Sequence, residues 1–372
     1  MPEQTKPWIE SRLPIGETLR TYITGVMLPR DMPYLATLAA LMTGTVVLLT
    51  LSGLVLGVYY NPWHGFDSIQ FIIREVNYGW LIHGFHETGT TMLFATVYLI
   101  LFRAILGREY KAPGEVVWFL KLKLLLLLLL VGYLGFTLSD GAEAYWSLHG
   151  AALTAAQLSG VPGAVGNWFF GGPEDADTLA RMAVLHAALA LLVFVVLAIH
   201  LAARRAVAKP PGRPVALHPY YTSQYFVSFV VFALIFAVLL FFAPHLGESR
   251  LNLAGPSGLV VPASVTPPWY LLPATGVADA VSGPLAHIVA FIAAFAVLYA
   301  LPWLDRSAPG AAPSFTARVL VFVLALDMVA LSVAEAAPPT EATSLFALLF
   351  AGWYFLHFLV LTPLVTAAEG RK

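Results

Sequence analysis

Three histidines within the first 200 residues of the chain have the residue type and spacing to bind a metal-containing group. His186 and His200 lie fourteen residues apart on one long apolar stretch. Fourteen residues are close to four helical turns, so the two side chains share a helix face about 21 Å apart along the axis. His86 lies on an earlier apolar stretch, where Ile100 stands fourteen residues further on. The spacing suits two stacked haems, but the histidines suffice for one axial pair.

The composition places these histidines in a membrane. The chain has 372 residues, of which 59% are hydrophobic and 11% are charged. Apolar runs of about 20 residues match the roughly 30 Å hydrocarbon core of a bilayer. The sequence therefore predicts an all-α integral membrane protein with eight transmembrane helices, at residues 34–60, 81–106, 117–138, 179–203, 224–244, 285–304, 318–336 and 344–366.

A basic, proline-rich stretch divides the spans into two groups of four. The predicted organisation is a cytoplasmic N-terminal segment (1–33), a four-helix haem-binding bundle (34–205), a basic linker (206–223) and a C-terminal four-helix domain (224–372). Of the 20 Lys and Arg residues, all but Arg74, Arg181 and Arg250 lie at the termini or around alternate loops. By the positive-inside rule both termini are cytoplasmic, in a bacterial-type inner membrane.

The first four spans contain a candidate site for a flat cofactor. His86 and His186 both lie near the outer ends of spans two and four, so their depths match and their imidazoles can face each other as iron ligands. Gly53 and Gly135 offer helix surfaces without side chains where a macrocycle must approach closely. The chain has no cysteine, which excludes an iron–sulfur cluster or a covalently attached haem. For His83, His245, His287 and His357 a hydrogen-bonded or interfacial role is favoured.

Several short runs occur in the order typical of a known family. They are NYGW (77–80), GFHETG (84–89), YKAP (110–113), GG (171–172), DTLAR (177–181), HPYY (218–221), FAP (242–244), PWY (268–270) and LPWLD (301–305). From about residue 30 to the C-terminus the chain resembles cytochrome b of quinol:cytochrome c reductase. The resemblance implies eight membrane helices, two haems within the first four, and quinone sites on either side of the membrane.

The resemblance implies an intact outer haem site. Its residues are His86 and His186 as axial ligands, Gly53 and Gly135 as close-packing glycines, Arg181 as a nearby basic residue, and His83 in place of an arginine near the haem propionates. A histidine can still donate a hydrogen bond at that position, but less reliably than a fixed cation. One haem b is therefore expected at the outer site.

The inner haem site is predicted to be lost. His200 matches one ligand and is left as an orphan, because Ile100 at the partner position has no lone pair for iron. The two glycines that would admit this haem are replaced by Ala39 and Lys121, and the lysine enters space that a porphyrin needs. An unusual ligand, such as a rearranged His83 or His357, or a five-coordinate haem on His200 stays open as an alternative.

Both quinone sites also depart from the family pattern. On the outer side Pro268 replaces the glutamate expected to accept a proton from quinol, and Ser139-Asp140-Gly141 replaces a Pro-Trp-Gly run. Asp140 is interpreted as a solvated loop residue, with a role as substitute base left open. On the inner side, the expected lysine, aspartate and histidine are replaced by Gln224, Tyr225 and Arg205.

Two functions from different classes remain. The first is a redox subunit with one b haem that transfers electrons locally on the outer side. The second is a non-catalytic structural paralogue that pairs with an intact cytochrome b or other redox subunits. The expected partners are membrane lipid, an iron–sulfur protein and a c-type cytochrome, in a dimer, and no nucleic acid. A transporter is disfavoured because Asp327 is a lone mid-span carboxylate.

Overall fold

Long apolar helices dominate the structure. The computed structural model describes residues 8–21, 25–30, 32–158, 160–170, 177–207, 213–247, 250–256 and 264–369. Within these ranges eight helices are long and apolar enough to cross a membrane, which confirms the predicted fold class and number of spans. They are Tyr34–Tyr59, Gly79–Leu106, Glu115–Thr137, Thr178–Val207, Leu217–Phe242, Pro284–Leu304, Phe315–Ala336 and Glu341–Glu369.

Shorter helices lie between the spans. The first half contains α1 (Trp8–Arg12), α2 (Ile15–Leu19), α3 (Leu38–Tyr59), α4 (Gly65–Arg74), α5 (Gly79–Leu106), α6 (Glu115–Thr137), α7 (Ala142–Ala156), α8 (Gly160–Phe170) and α9 (Thr178–Val207). The second half contains α10 (Thr222–Phe242), α11 (Leu272–Asp279), α12 (Pro284–Leu304), α13 (Phe315–Ala336), α14 (Glu341–Leu356) and α15 (Thr362–Glu369). A π-helical turn, His357–Leu361, joins α14 to α15.

Local sequence signals fix the starts of the C-terminal helices. Ser314 Oγ accepts a hydrogen bond from Ala317 N (3.2 Å) and caps α13. Thr340 and Thr343 form a reciprocal capping box at the start of α14. Pro284 opens α12, where a missing N–H costs nothing. These caps satisfy backbone groups that the helix interior leaves unpaired.

The four-helix bundle packs in two pairs, α3 with α5 and α6 with α9. The leucine run of α6 fills its centre, with Leu124, Leu125, Leu128 and Leu129 all buried. Outward-facing apolar residues such as Leu54 stay exposed, as lipid-facing side chains do. The bundle therefore has a dry interior in which a flat cofactor can be enclosed.

The C-terminal helices share an interior with the bundle. The Tyr270 ring stacks on Phe94 of α5 with centroids 3.9 Å apart, and Tyr98 donates a hydrogen bond to the Tyr270 carbonyl. Trp118 Nε1 of α6 donates to the Leu298 carbonyl of α12 (2.8 Å). The two halves are thus joined by buried aromatic contacts.

The structure adds features that hydropathy did not predict. Strand β1 (Met27–Pro29) pairs antiparallel with β2 (Pro214–Ala216), joining the N-terminal segment to the linker. The fifth span begins at Leu217, earlier than the predicted residue 224. Residues 171–172 and 208–212, which contributed to the family resemblance and the basic linker, lie outside the described ranges. The division into four domains stays a prediction.

Candidate haem-binding site

His86 and His186 face each other inside the bundle. Each lies about two turns from the start of its helix, His86 on α5 and His186 on α9. Their ring centroids are 6.2 Å apart and their planes are inclined by 68°. The structure thus brings together the two histidines that the sequence proposed as a ligand pair.

Hydrogen bonds occupy the Nδ1 atom of both rings. Ser52 Oγ lies 3.0 Å from His86 Nδ1, and the Val131 carbonyl oxygen lies 2.9 Å from His186 Nδ1. A carbonyl oxygen can only accept, so His186 carries its proton on Nδ1 when neutral. Ser52 also donates to the Leu48 carbonyl (2.9 Å), which leaves its oxygen free to accept from His86. Both Nε2 lone pairs are therefore available to a metal.

Two glycines make room for these imidazoles. A Cβ at Gly53 on α3 would lie 3.0 Å from His86 Cε1, and a Cβ at Gly135 on α6 would lie 2.8 Å from His186 Cε1. Any larger residue would push the ring out of place. The sequence argument assigned these glycines to the macrocycle, whereas their nearest neighbours in the structure are the imidazole edges.

The pair fits a single iron between the two rings. A metal-bound imidazole nitrogen lies about 2 Å from its metal, so two axial imidazoles on one metal have ring centroids about 6 Å apart. The observed 6.2 Å matches this value. The neutral imidazoles, the oriented Nδ1 hydrogen bonds and the glycine-lined backing together suit a bis-histidine haem.

The structure gives Arg181 and His83 other partners. Arg181 donates to the Phe169 and Phe170 carbonyls at 3.3 and 3.1 Å, which joins the end of α8 to the start of α9. His83 Nδ1 lies 3.6 Å from Glu87 Oε2, and His245 Nδ1 lies 3.7 Å from the other oxygen of the same carboxylate. These contacts brace the outer end of the bundle.

The surroundings of His200, at the predicted inner haem site, differ from those of the His86–His186 pair. His200 is only 8% exposed, and its Nδ1 has no hydrogen-bond partner among the described residues. Because α5 and α9 run parallel, Ile100 lies at the matching depth on α5. Lys121 and Arg204 lie close enough to His200 to act on it electrostatically. Ala39 lies in the first turn of α3.

A three-membered ion cluster occupies the inner end of the bundle. Lys121 Nζ lies 2.8 Å from Glu109 Oε2, and Arg103 Nη2 lies 3.1 Å from Glu109 Oε1. Burial alone would raise the pKa of Glu109, but the charges of Lys121 and Arg103 lower it below its ordinary value. Lys121 thus pairs with a partly exposed residue of the loop between α5 and α6.

The outer surface contains two carboxyl groups near the altered quinone motifs. Asp140 is half-buried and accepts from Phe66 N (3.4 Å), and burial raises its pKa to about 6. Asp140 was interpreted as a solvated loop residue, and its half-buried position against α4 leaves its role as a substitute base open. Glu143, which the sequence argument missed, is 1% exposed and accepts from the backbone N–H of Thr266.

Residues at the altered inner quinone motif serve local packing. Gln224 Nε2 donates to the Met32 carbonyl (3.4 Å), which connects α10 to the segment before α3. Tyr225 lies close enough to Arg204 to interact electrostatically. Arg205 lies near the end of α9 with its side chain exposed.

The fold and the site define a class: a membrane protein with eight spans and an imidazole pair enclosed by the first four. Two family models match the chain, "Cytochrome b/b6/petB" over residues 23–208 and "Cytochrome b(C-terminal)/b6/petD" over residues 256–355. The chain belongs to the cytochrome b family. Membership implies that it binds haem b.

Relatives and a solved structure match along almost the whole chain. It is 31% identical to cytochrome b of Rickettsia bellii, over 97% of this chain and 94% of the relative. It is 32% identical to cytochrome b of Rhodospirillum rubrum, over 98% and 93%. A chain of a hyperthermophilic respiratory Complex III superposes with a TM-score of 0.86 at 27% identity, covering 98% of this chain and 99% of that one. The family resemblance read from the motifs is thereby confirmed.

Proposed function

We propose that the chain is the membrane cytochrome b subunit of a quinol:cytochrome c reductase-like respiratory complex. In this proposal it holds one b haem through His86 and His186 and takes part in electron transfer on the outer side. The family match and the similarity to a Complex III chain support the subunit assignment. The observation that carries the haem assignment is the facing imidazole pair at 6.2 Å.

The protein's part in this function is to hold and orient the axial ligands. A b haem bound at this site would supply reversible one-electron transfer. Ser52 and Val131 fix the ring orientations through Nδ1, so that each Nε2 presents its lone pair. Buried residues such as Leu93 and Leu128 exclude water from the bundle interior. A low dielectric around the site favours a defined redox potential.

The proposal assigns one haem because the inner position lacks the means to hold a second. Ile100 offers no ligand atom, and Lys121 is paired with Glu109 where a glycine would admit a porphyrin. His186 and His200 lie about 21 Å apart along the axis of α9. An electron relay across the membrane within this chain would have to cross that interval without a second axial pair.

The same proposal treats both quinone sites as degenerate. Pro268 has no proton-accepting side chain, and Gln224 is engaged with the N-terminal segment. A second candidate function, a structural paralogue of an intact cytochrome b, is favoured by the inner ion cluster. That cluster stabilises the helix skeleton without any electron-transfer role.

The proposal extends to the partners of the chain, its oligomeric assembly and its orientation in the membrane. An iron–sulfur protein and a c-type cytochrome are the proposed redox partners, and a two-fold dimer is the proposed assembly. Both termini are proposed to face the cytoplasm, because Lys and Arg concentrate on that side. The outer site would then lie near the opposite surface, where such partners would dock.

Haem content tests the proposal directly. The measurement is extracted haem b per polypeptide in the purified, detergent-solubilised protein. One haem is expected. Two haems would overturn the assignment of a lost inner site, and no haem would favour the structural paralogue.

A further inference from the structure

A small cavity lies in the C-terminal half, away from the haem-binding site. Its volume is about 30 Å³. Its walls come from the loop after α5, the ends of α12 and α13, and the last helix, and they include Arg108, Leu301, Val321, His357 and Thr366. A water molecule needs about 10–15 Å³ of such space. The cavity therefore has room for about two.

Two buried polar groups on the cavity wall have unused hydrogen-bonding capacity. Arg108 is 7% exposed and His357 is 2% exposed. Arg108 Nη1 and His357 Nδ1 have no hydrogen-bond partner among the described residues. Leaving such a group unpaired in the interior destabilises the fold, so a hydrogen-bond partner in the cavity stabilises it.

The charge balance around the cavity selects a neutral occupant. Arg108 Nε lies 3.3 Å from Asp305 Oδ2, and its Nη2 binds Glu369 Oε2 at 2.5 Å. Tyr110 also donates to Asp305 Oδ2 (2.7 Å). The two carboxylates oppose an anion, and their charges are offset by the guanidinium and by Lys111, whose Nζ donates to the Asp305 carbonyl (2.7 Å). The volume is also too small for a phosphate group.

We propose that this cavity is a hydration site that holds about two water molecules and connects Arg108 Nη1 to His357 Nδ1. Arg108 donates to the water, and the water accepts from or donates to the histidine according to its tautomer. The site forms a hydrogen-bonded link between His357 and the cluster of Arg108, Asp305 and Glu369.

A buried carboxyl group, Asp327, lies further along α13 from the cavity wall. Ala317, Val321, Leu324 and Asp327 follow one face of α13 at helical spacing. Asp327 lies about 9 Å beyond Val321 by the helix rise, and it interacts electrostatically with Tyr354, one turn before His357. Asp327 Oδ2 has no hydrogen-bond partner among the described residues.

Radiolytic footprinting of the purified complex tests the site. Hydroxyl radicals formed from bound water oxidise neighbouring side chains even where bulk solvent does not reach. Leu301 lines the cavity and is 1% exposed, whereas Leu331 is 0% exposed and packs on Gly276. Leu301 is expected to be oxidised severalfold more than Leu331. Equal, background oxidation of the two leucines would overturn the proposal.

A cavity-filling variant gives a second, independent measurement. Ala317→Leu should reduce Leu301 oxidation to the Leu331 level and lower the Tm, because it displaces hydrogen-bonded water from Arg108 and His357. Ala325→Leu, elsewhere on α13, is the matched control. A Tm above wild type for Ala317→Leu alone would mean that the space is dry and would contradict hydration. The comparison of the two leucines in the wild-type protein needs no variant to fold.

Discussion

The outer and inner ends of the same helix pair contain opposite kinds of chemistry. At the outer end α5 and α9 present His86 and His186, backed by glycines and oriented by Ser52. Fourteen residues further along each helix, the matching positions hold Ile100 and His200. Beside them the space near the inner surface contains three charged side chains in mutual contact.

This difference shows that the supporting residues change together with the ligands. At the outer end the ligands, their hydrogen-bond partners and the glycines are all present. At the inner end the matching positions hold Ile100, Ala39 and Lys121, and the lysine pairs with Glu109. Under the proposal of a single haem, the ion cluster fills the inner end of the bundle and satisfies its charged groups.

Removing an outer ligand should have the largest effect. His86→Ala leaves His186 as the single axial donor, so we expect loss of essentially all bound haem. The measurement is haem per polypeptide, together with the reduced absorption spectrum. His200→Ala is the matched control and should keep its haem. If His200→Ala loses haem while His86→Ala keeps it, the two ends have been assigned the wrong way round.

Rebuilding the inner end should add one haem. Ile100→His supplies the missing ligand opposite His200, and Lys121→Gly removes the side chain that occupies the porphyrin space. The double variant is expected to bind about one further haem per chain. The single variant Ile100→His should bind no further haem, because Lys121 stays in place against Glu109. A second haem in that single variant would show that the lysine is no obstacle.

The hydrogen bond from His86 to Ser52 should have a smaller effect on the outer site. Ser52→Ala removes the acceptor for His86 Nδ1 and loosens the ring orientation. Partners of metal-bound histidines typically contribute about 10-fold or more to affinity. We expect haem to dissociate about 10-fold more readily in competition with apomyoglobin. Ser332→Ala, on α13 and far from the bundle, is the control, and equal retention in both variants would contradict the role of Ser52.

The inner ion cluster should have the smallest effect, seen in stability alone. Glu109→Gln is expected to lower the free energy of unfolding by about 1 kcal/mol, since Glu109 is partly exposed. The lowered pKa of Glu109 makes its contribution present above the ordinary glutamate pKa and lost as the pH falls through the folded-state pKa. The Tm difference from wild type should therefore vanish in acid, while haem content stays unchanged. A difference that grows in acid would contradict the pairing.

Much of the fold followed from the sequence because a membrane leaves few choices. Apolar runs long enough to cross a bilayer must form helices, so the eight spans were predictable from length and hydropathy. The matching depths of His86 and His186 followed from helix periodicity. The start of the fifth span at Leu217 could not be predicted, because the polar HPYY run lacks the hydropathy of a membrane helix.

Contacts made by single side chains were harder to predict. A serine in a helix usually bonds its own backbone, so Ser52 gave no sign of a role beside His86, although it precedes Gly53. Glu109 lies in a loop whose path decides its partner, so its pairing with Lys121 needed the fold. The hydrogen bonds from Arg181 to the end of α8 also needed the fold, and its place beside the haem stays a prediction.

The strand pair of β1 and β2 has a consequence for the order of events during synthesis. Tyr221 donates to the carbonyls of Pro29 and Arg30 at 2.6 Å, which joins residues 192 and 191 positions apart in the chain. The N-terminal segment leaves the ribosome first, yet its partner emerges only after four spans have been made. The N-terminal segment can therefore form the strand pair only after the linker has been synthesised, which follows synthesis of the first four spans.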